Sequence, residues 1–188
     1  MGAIAIVPAA GRAERFGGGK LIAEVDGQPL LDHTLRSLLD GGIERVIVVM
    51  APGAAFPTVT LLNDPRVSLT VNPDPARGMF SSIQQGLGAA EGEPILVLPA
   101  DMPFVKCETV AAVLSAARDS RTIVSPCFNG RHGHPVALPG RLRDAVLSAP
   151  PGMTLSELIE THATGRVEVN VDDPGIRRDV DVRGDLRG

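Results

Sequence analysis

The sequence predicts a three-layer α/β fold with a mainly parallel, mixed sheet. Short apolar runs alternate with helix-patterned segments over roughly the first 120 residues, and such alternation puts helices on both faces of a parallel sheet. The runs are continuously apolar rather than alternating, as in strands covered on both sides. The 188 residues are 44% hydrophobic and 21% charged, a globular balance that suits a single domain spanning residues 1–188.

Each element follows from its own pattern. Ala3–Val7 is a compact apolar run that stops at "PAAG" and reads as the first strand. "PLLDHTLRSLLDGG" puts Leu30, Leu31, Leu35, Leu38 and Leu39 on one helical stripe and ends at Gly41–Gly42, residues that favour helix termination. "RVIVVM" and "VSLTV" are β-branched strands, and "GMFSSIQQGLGAAEG" carries Met79, Ile83, Leu87 and Ala90 near helical spacing. "PILVLPAD" is a fourth strand with a carboxylate just past its end, followed by the helical "CETVAAVLSAARDS". "RTIVSP" and "HPVALP" flank "CFNGRHG", where Asn-Gly marks a tight turn. "GRLRDAVLSA" and "TLSELIETHA" read as helices, "RVEVNV" as an edge strand, and the tail as polar.

The charge balance excludes some functions. The formal net charge is −4, which disfavours general binding to nucleic-acid backbones. Aromatics are 3% with no Trp or Tyr, which disfavours base-stacking platforms. Cys107 and Cys127 form no C-x-x-C pair and read as two reduced thiols. The first apolar run is too short for a membrane span and has no positive leader. The expectation is a cytoplasmic protein without nucleic-acid or membrane partners.

In open α/β sheets, ligands sit beyond the carboxyl ends of the strands. "PAAGRAERFGGGK" and "PADMPF" both follow strands, so the basic loop and Asp101 should share one crevice. Gly11, Gly17, Gly18 and Gly19 allow close backbone approach, while Arg15 and Lys20 can neutralise phosphate. The spacing matches neither common phosphate-loop pattern, because Leu21 follows Lys20 and Arg12-Ala13 follow Gly11. A solvated surface loop is the alternative. Asp101 suits a hard divalent cation or, alternatively, a helix N-cap or a solvated turn. Asn72, Gly78, Ser81 and Ser82 surround a helix start that can favour an anion or simply cap itself. His132 and His134 have no Cys or Glu at a zinc spacing, so a turn or substrate-facing loop is expected there. Asp172, Asp173, Asp179 and Asp181 read mainly as solvated acidic surface, one of which can reach the cation of Asp101.

Five stretches occur in order: "PAAGRAERFGGGK", "NPDPARGMFSSIQQGL", "LPADMPFV", "NGRHGHPVAL" and "DVDVRGDL". Together they resemble the MobA-like nucleotidyltransferase family, and within it the molybdenum-cofactor cytidylyltransferase branch. The resemblance runs from Ala3 to about Leu186. Pro8 and Ala13 depart from the first motif, "PADMP" lacks the usual Gly and Gln, and the tail keeps its aspartates while losing a T-P-E segment.

The resemblance implies a Rossmann-like nucleotidyltransferase fold and a reaction. A substrate phosphate attacks the α-phosphorus of an NTP, CTP being favoured by the A-A-G form, and pyrophosphate leaves. Asp101 and Asp181 would hold Mg²⁺, with Asp179 in reserve. Arg15 and Lys20 would neutralise phosphate charge. Ala9, Ala10, Gly11, Asn72, Gly78 and Ser82 would bind nucleotide, and Gly133 and His134 would face a phosphorylated acceptor such as molybdopterin. A molybdoenzyme or chaperone partner is compatible with this. The alternatives are a GTP-dependent molybdopterin guanylyltransferase, a sugar- or alcohol-phosphate nucleotidyltransferase, and a non-catalytic nucleotide-binding module for cofactor insertion.

Overall fold

A computed structural model describes residues 2–11, 16–56, 58–118, 120–162 and 165–186. In chain order the elements are β1 (Ile4–Ala9), β2 (Glu24–Val25), β3 (Gln28–Pro29), α1 (Leu30–Asp40), β4 (Arg45–Met50) and β5 (Val67–Val71). Then come α2 (Met79–Gly88), β6 (Ile95–Val97), α3 (Cys107–Arg118), β7 (Ile123–Phe128), β8 (Arg131–His132) and β9 (Val136–Leu138). The last are α4 (Arg143–Ser148), α5 (Leu155–His162) and β10 (Arg166–Asn170).

The main sheet has the order β10-β7-β9-β6-β1-β4-β5, with β8 paired to β7. Neighbours are parallel except at β9, which runs against β6 and β7, and at the β7–β8 hairpin. The expected mixed, mainly parallel sheet is therefore present, with β10 at an edge.

Side-chain alternation along β1 divides the core into two layers. Ala3, Ala5, Val7 and Ala9 face one cluster with Leu31, Leu35, Leu38 and Leu39 of α1 and Val110, Val113 and Leu114 of α3. Ile4 and Ile6 face the other, with Phe80, Ile83 and Leu87 of α2, Val146 of α4 and Leu158 of α5.

Two local features depart from the expected pattern. A two-stranded ribbon, β2–β3, turns at Asp26-Gly27, where φ is 48° and 77°; this is the Asp-Gly signal of a tight hairpin. The segment before α4 begins as a 3-10 turn, Gly140–Leu142, rather than as continuous helix. Pro8 lies in β1 just past the last register pair with β6, Ile6–Val97, and its carbonyl still accepts from Ala100 N–H at 3.1 Å. No helix among the described residues is long and apolar enough to cross a membrane.

Candidate active site

The chain runs from β1 to β4 on one side and returns to β6 on the other. The ends of these three strands flank the point where strand order reverses, the usual ligand crevice of such sheets. A cavity of about 440 Å³ occupies it. Its floor is Pro8–Gly11 at the end of β1 and Pro99–Asp101 after β6. Gly18 to Ile22 form one wall; Ala51, Ala54, Ala55 and Phe56 after β4 form an apolar one; Gly78, Met79 and Ser82 close the side. The volume falls within the roughly 300–1,000 Å³ of small-molecule sites.

Gly17, Gly18 and Gly19 have φ of 81°, 88° and 65°, a left-handed run that only glycine adopts without strain. It delivers Lys20 to the cavity. Lys20 is nearly buried, and its Nζ donates to Asp101 Oδ2 at 2.7 Å and to Asp181 Oδ1 at 3.4 Å. Arg15 lies outside the described residues.

The tail reaches Asp101 through the backbone. Val180 N–H donates to the Asp101 carbonyl at 2.9 Å, and the buried Val180 packs with Phe16, Val25 and Leu30. Carboxylate oxygens of Asp101, Asp179 and Asp181 consequently lie within 4.8 Å of one another. The turn after Asp181 is braced by Asp185, whose Oδ2 accepts from the N–H groups of Asp181 (2.8 Å) and Val182 (2.9 Å). These two bonds hold the Asp185 carboxyl below its usual value. Arg178 stacks over Phe104 at 4.0 Å and Arg183 over Phe16 at 5.1 Å, further tying the tail to the site.

The other expected residues divide into two groups. Ala9, Ala10, Gly11, Gly78 and Ser82 line the cavity. Asn72 is buried and does not line it; its Nδ2 donates to Ser81 Oγ (2.8 Å) and Ser82 Oγ (3.0 Å), and its Oδ1 accepts from Asp74 N–H (3.0 Å). That side chain staples the loop to the start of α2. Gly133 also has a packing reason: a Cβ there would stand 2.2 Å from the Ile176 carbonyl oxygen. His134 N–H donates to that same carbonyl at 2.8 Å. The His134 Nδ1 lies 3.3 Å from the Val97 carbonyl, which can only accept, so this nitrogen carries the proton. Burial lowers the His134 pKa, opposed by that bond and by the charges of Asp101 and Asp179.

One expectation is corrected. Asp173 is not solvated surface: it is 1% exposed. Its carboxylate accepts from Lys106 N–H (2.9 Å), Thr109 Oγ1 (2.7 Å) and Gly175 N–H (2.9 Å), capping α3 from a distant segment. Sequence reasoning also passed over Asp32, a buried carboxylate that accepts from Thr60 N–H and Oγ1 and Leu61 N–H at 2.9–3.2 Å. It ties the segment after the apolar wall to α1. Only its position on the inward stripe of α1, one residue from Leu31, could have signalled this.

Residues 5–167 match the MobA-like NTP transferase domain. The chain belongs to that family. It is 30% identical to a 2-C-methyl-D-erythritol 4-phosphate cytidylyltransferase of Streptomyces avermitilis, over 85% of this chain and 73% of that protein. It is 30% identical to a phosphoenolpyruvate guanylyltransferase of Geodermatophilus obscurus, over 85% and 69%. It is 26% identical to the molybdenum cofactor cytidylyltransferase of Escherichia coli, over 70% and 67%. The fold is that of Rv0371c from Mycobacterium tuberculosis, with a TM-score of 0.82, 19% identity and coverage of 98% and 96%. The manganese complex of that protein superposes with a TM-score of 0.78 at 19% identity, over 98% and 96%. The carboxylates of Asp101, Asp179 and Asp181 are hard oxygen donors of the kind Mg²⁺ and Mn²⁺ take.

Proposed function

We propose that this chain is one catalytic domain, residues 1–188, that transfers a nucleoside monophosphate from an NTP, CTP favoured, to a phosphorylated acceptor. A phosphate oxygen of the acceptor forms a bond to the α-phosphorus. The bond from that phosphorus to the oxygen bridging to the β-phosphate breaks, and pyrophosphate leaves with the electron pair. The observation that carries the reading is Lys20, presented by a glycine run and held between Asp101 and Asp181 at the crevice where β1, β4 and β6 end.

The residues divide the work by chemistry. Backbone groups of Ala9, Ala10 and Gly11 approach base and ribose, with the alanine wall and Phe56 excluding water from the opposite side. Gly78 and Ser82 border the nucleotide. Lys20, with Arg15, neutralises charge accumulating on the α-phosphate and the departing pyrophosphate, the kind of electrostatic preorganisation that dominates such transfers. Asp101 and Asp181, with Asp179, would hold Mg²⁺. Bound there, the ion would offset phosphate charge that the protein's own cations leave unbalanced. Gly133 and His134 would face the acceptor side, with Asn72 holding the nucleotide loop in shape.

The favoured acceptor is molybdopterin, on the resemblance of the five motifs. A second reading is an alcohol phosphate, favoured by the 30% identity to a 2-C-methyl-D-erythritol 4-phosphate cytidylyltransferase over 85% of this chain. Pyrophosphate release measured with CTP, GTP, UTP and ATP against both acceptors separates the two. Release with CTP and molybdopterin is the expected result. Release only with the alcohol phosphate replaces the acceptor; CTP binding without release from any pair overturns the transferase reading.

A further inference from the structure

Beside the carboxylates at the cavity, the described residues bring together a second cluster of different chemistry. The β7 residues Ser125 and Cys127 stand two apart, so both point to the same face of the sheet. Cys127 is paired across the hairpin with His132 of β8, and Ser125 is paired with Glu168 of β10. Cross-strand partners share a face, so two ladders deliver a thiol, an imidazole and a carboxylate to one place. One ligand atom from each of Cys127, His132 and Glu168 lies within 4.8 Å of the others.

The His132–Glu168 spacing fits two ligands of one metal ion. His132 Nε2 and Glu168 Oε1 are 3.4 Å apart. Two ligands about 2.0–2.1 Å from a tetrahedral zinc ion stand about 3.4 Å from each other. A carboxylate oxygen facing a ring nitrogen needs a positive centre between them, either a proton or a metal ion. On the other side of the ring, Ser125 Oγ lies 3.4 Å from Nδ1. That is the outer hydrogen bond which orients a metal-binding histidine and selects its nitrogen. Cys127 is 4% exposed, whereas the His132 and Glu168 side chains are 38% and 53% exposed. The thiol therefore forms the base of the cluster, with the imidazole and the carboxylate at its mouth.

We propose that Cys127, His132 and Glu168 bind one zinc-class transition-metal ion, separate from the oxygen-ligated site at Asp101. Thiolate and imidazole select zinc or cobalt over magnesium, which prefers oxygen. The ion joins the edge strand β10 to the β7–β8 hairpin, so it also fastens the open side of the sheet.

The test is a cobalt titration of the full-length protein in excess Mg²⁺, followed by the thiolate-to-cobalt charge-transfer absorption. One cobalt per chain is expected, displaced by zinc. The band is lost in Cys127→Ser and kept in Cys107→Ser. Ser125→Ala is expected to weaken binding roughly 10–100-fold, and Glu168→Gln, at an exposed position, weakens it without affecting the fold. Absence of the band in the wild-type protein, its persistence in Cys127→Ser, or unchanged affinity in Glu168→Gln overturns the proposal and leaves His132–Glu168 as an ordinary ion pair.

Discussion

The Lys20 ammonium rests 2.7 Å from the Asp101 carboxylate and reaches Asp181 at 3.4 Å. It thus occupies the space between two of the three carboxylates suited to a divalent ion. A cation is needed there, because carboxylates this close repel one another strongly in a partly buried setting. On the proposed reading, a metal ion that neutralised them would release Lys20 toward the phosphates, so ammonium and metal would compete for the same oxygens.

Replacing Lys20 with Ala should produce two opposite changes. Without nucleotide, Mg²⁺ affinity rises, since no ammonium must be displaced. Turnover falls by about 10²–10³, the usual cost of removing one charge-stabilising donor. Calorimetric titration with Mg²⁺ and a pyrophosphate-release assay read the two quantities. Unchanged or weaker metal binding would show that Lys20 does not compete for those oxygens.

Asp101→Asn removes charge with little change in shape. Metal-dependent turnover should drop by at least about 10², while the far-UV dichroism spectrum stays that of the wild type. Full activity in this variant would reject Asp101 as a ligand.

Asp185→Ala should act on the same site from outside it. The carboxylate contacts backbone N–H groups of Asp181 and Val182, so its loss frees the turn that aims Asp181. The expected signature is weaker Mg²⁺ binding with nucleotide affinity nearly unchanged in metal-free buffer. Equal Mg²⁺ affinity in variant and wild type would make Asp185 a bystander.

Local pattern was enough to read β4 and β5, bounded at Arg45–Met50 and Val67–Val71, because short runs rich in β-branched residues favour strands. It was also enough to bring the loop after β1 and Asp101 to one edge, since sheet topology does that. What stayed hidden depends on contacts between distant segments. Asp173 reads as one of many acidic tail residues until its 67-residue reach to Lys106 is seen. Cys127 and His132 are close in sequence, but Glu168 joins them only through the β7–β10 ladder. Gly133 looked like part of a ligand motif, whereas the Ile176 carbonyl already forbids a side chain there. Motif reading locates such residues without saying whether they serve the ligand or the scaffold.

Asp173→Ala should destabilise the fold by about 2–4 kcal/mol. The change orphans two backbone N–H groups and the Thr109 hydroxyl in a buried setting, where each unmet donor costs about 1–3 kcal/mol before relaxation. Losing the cap of α3 contributes within this range. Urea denaturation measures it, and a loss under 1 kcal/mol would mean that water reaches these donors.

The start of α5 provides a pH-dependent prediction. Glu157 Oε2 accepts from Thr154 N–H (2.7 Å) and Oγ1 (2.8 Å), while Glu157 N–H donates to Thr154 Oγ1 (3.2 Å). This is a reciprocal capping box, and the bonds from Thr154 hold the Glu157 pKa below its ordinary 4.5. The unfolded chain therefore takes up the proton first as pH falls. The associated stability is present above pH 4.5 and is lost as pH drops through the lower folded value. Glu157→Gln keeps an acceptor but cannot titrate. Thermal melts should favour the wild type at neutral pH, with the two curves converging in acid. A difference that persists unchanged below the folded value would assign the effect to side-chain shape rather than to charge.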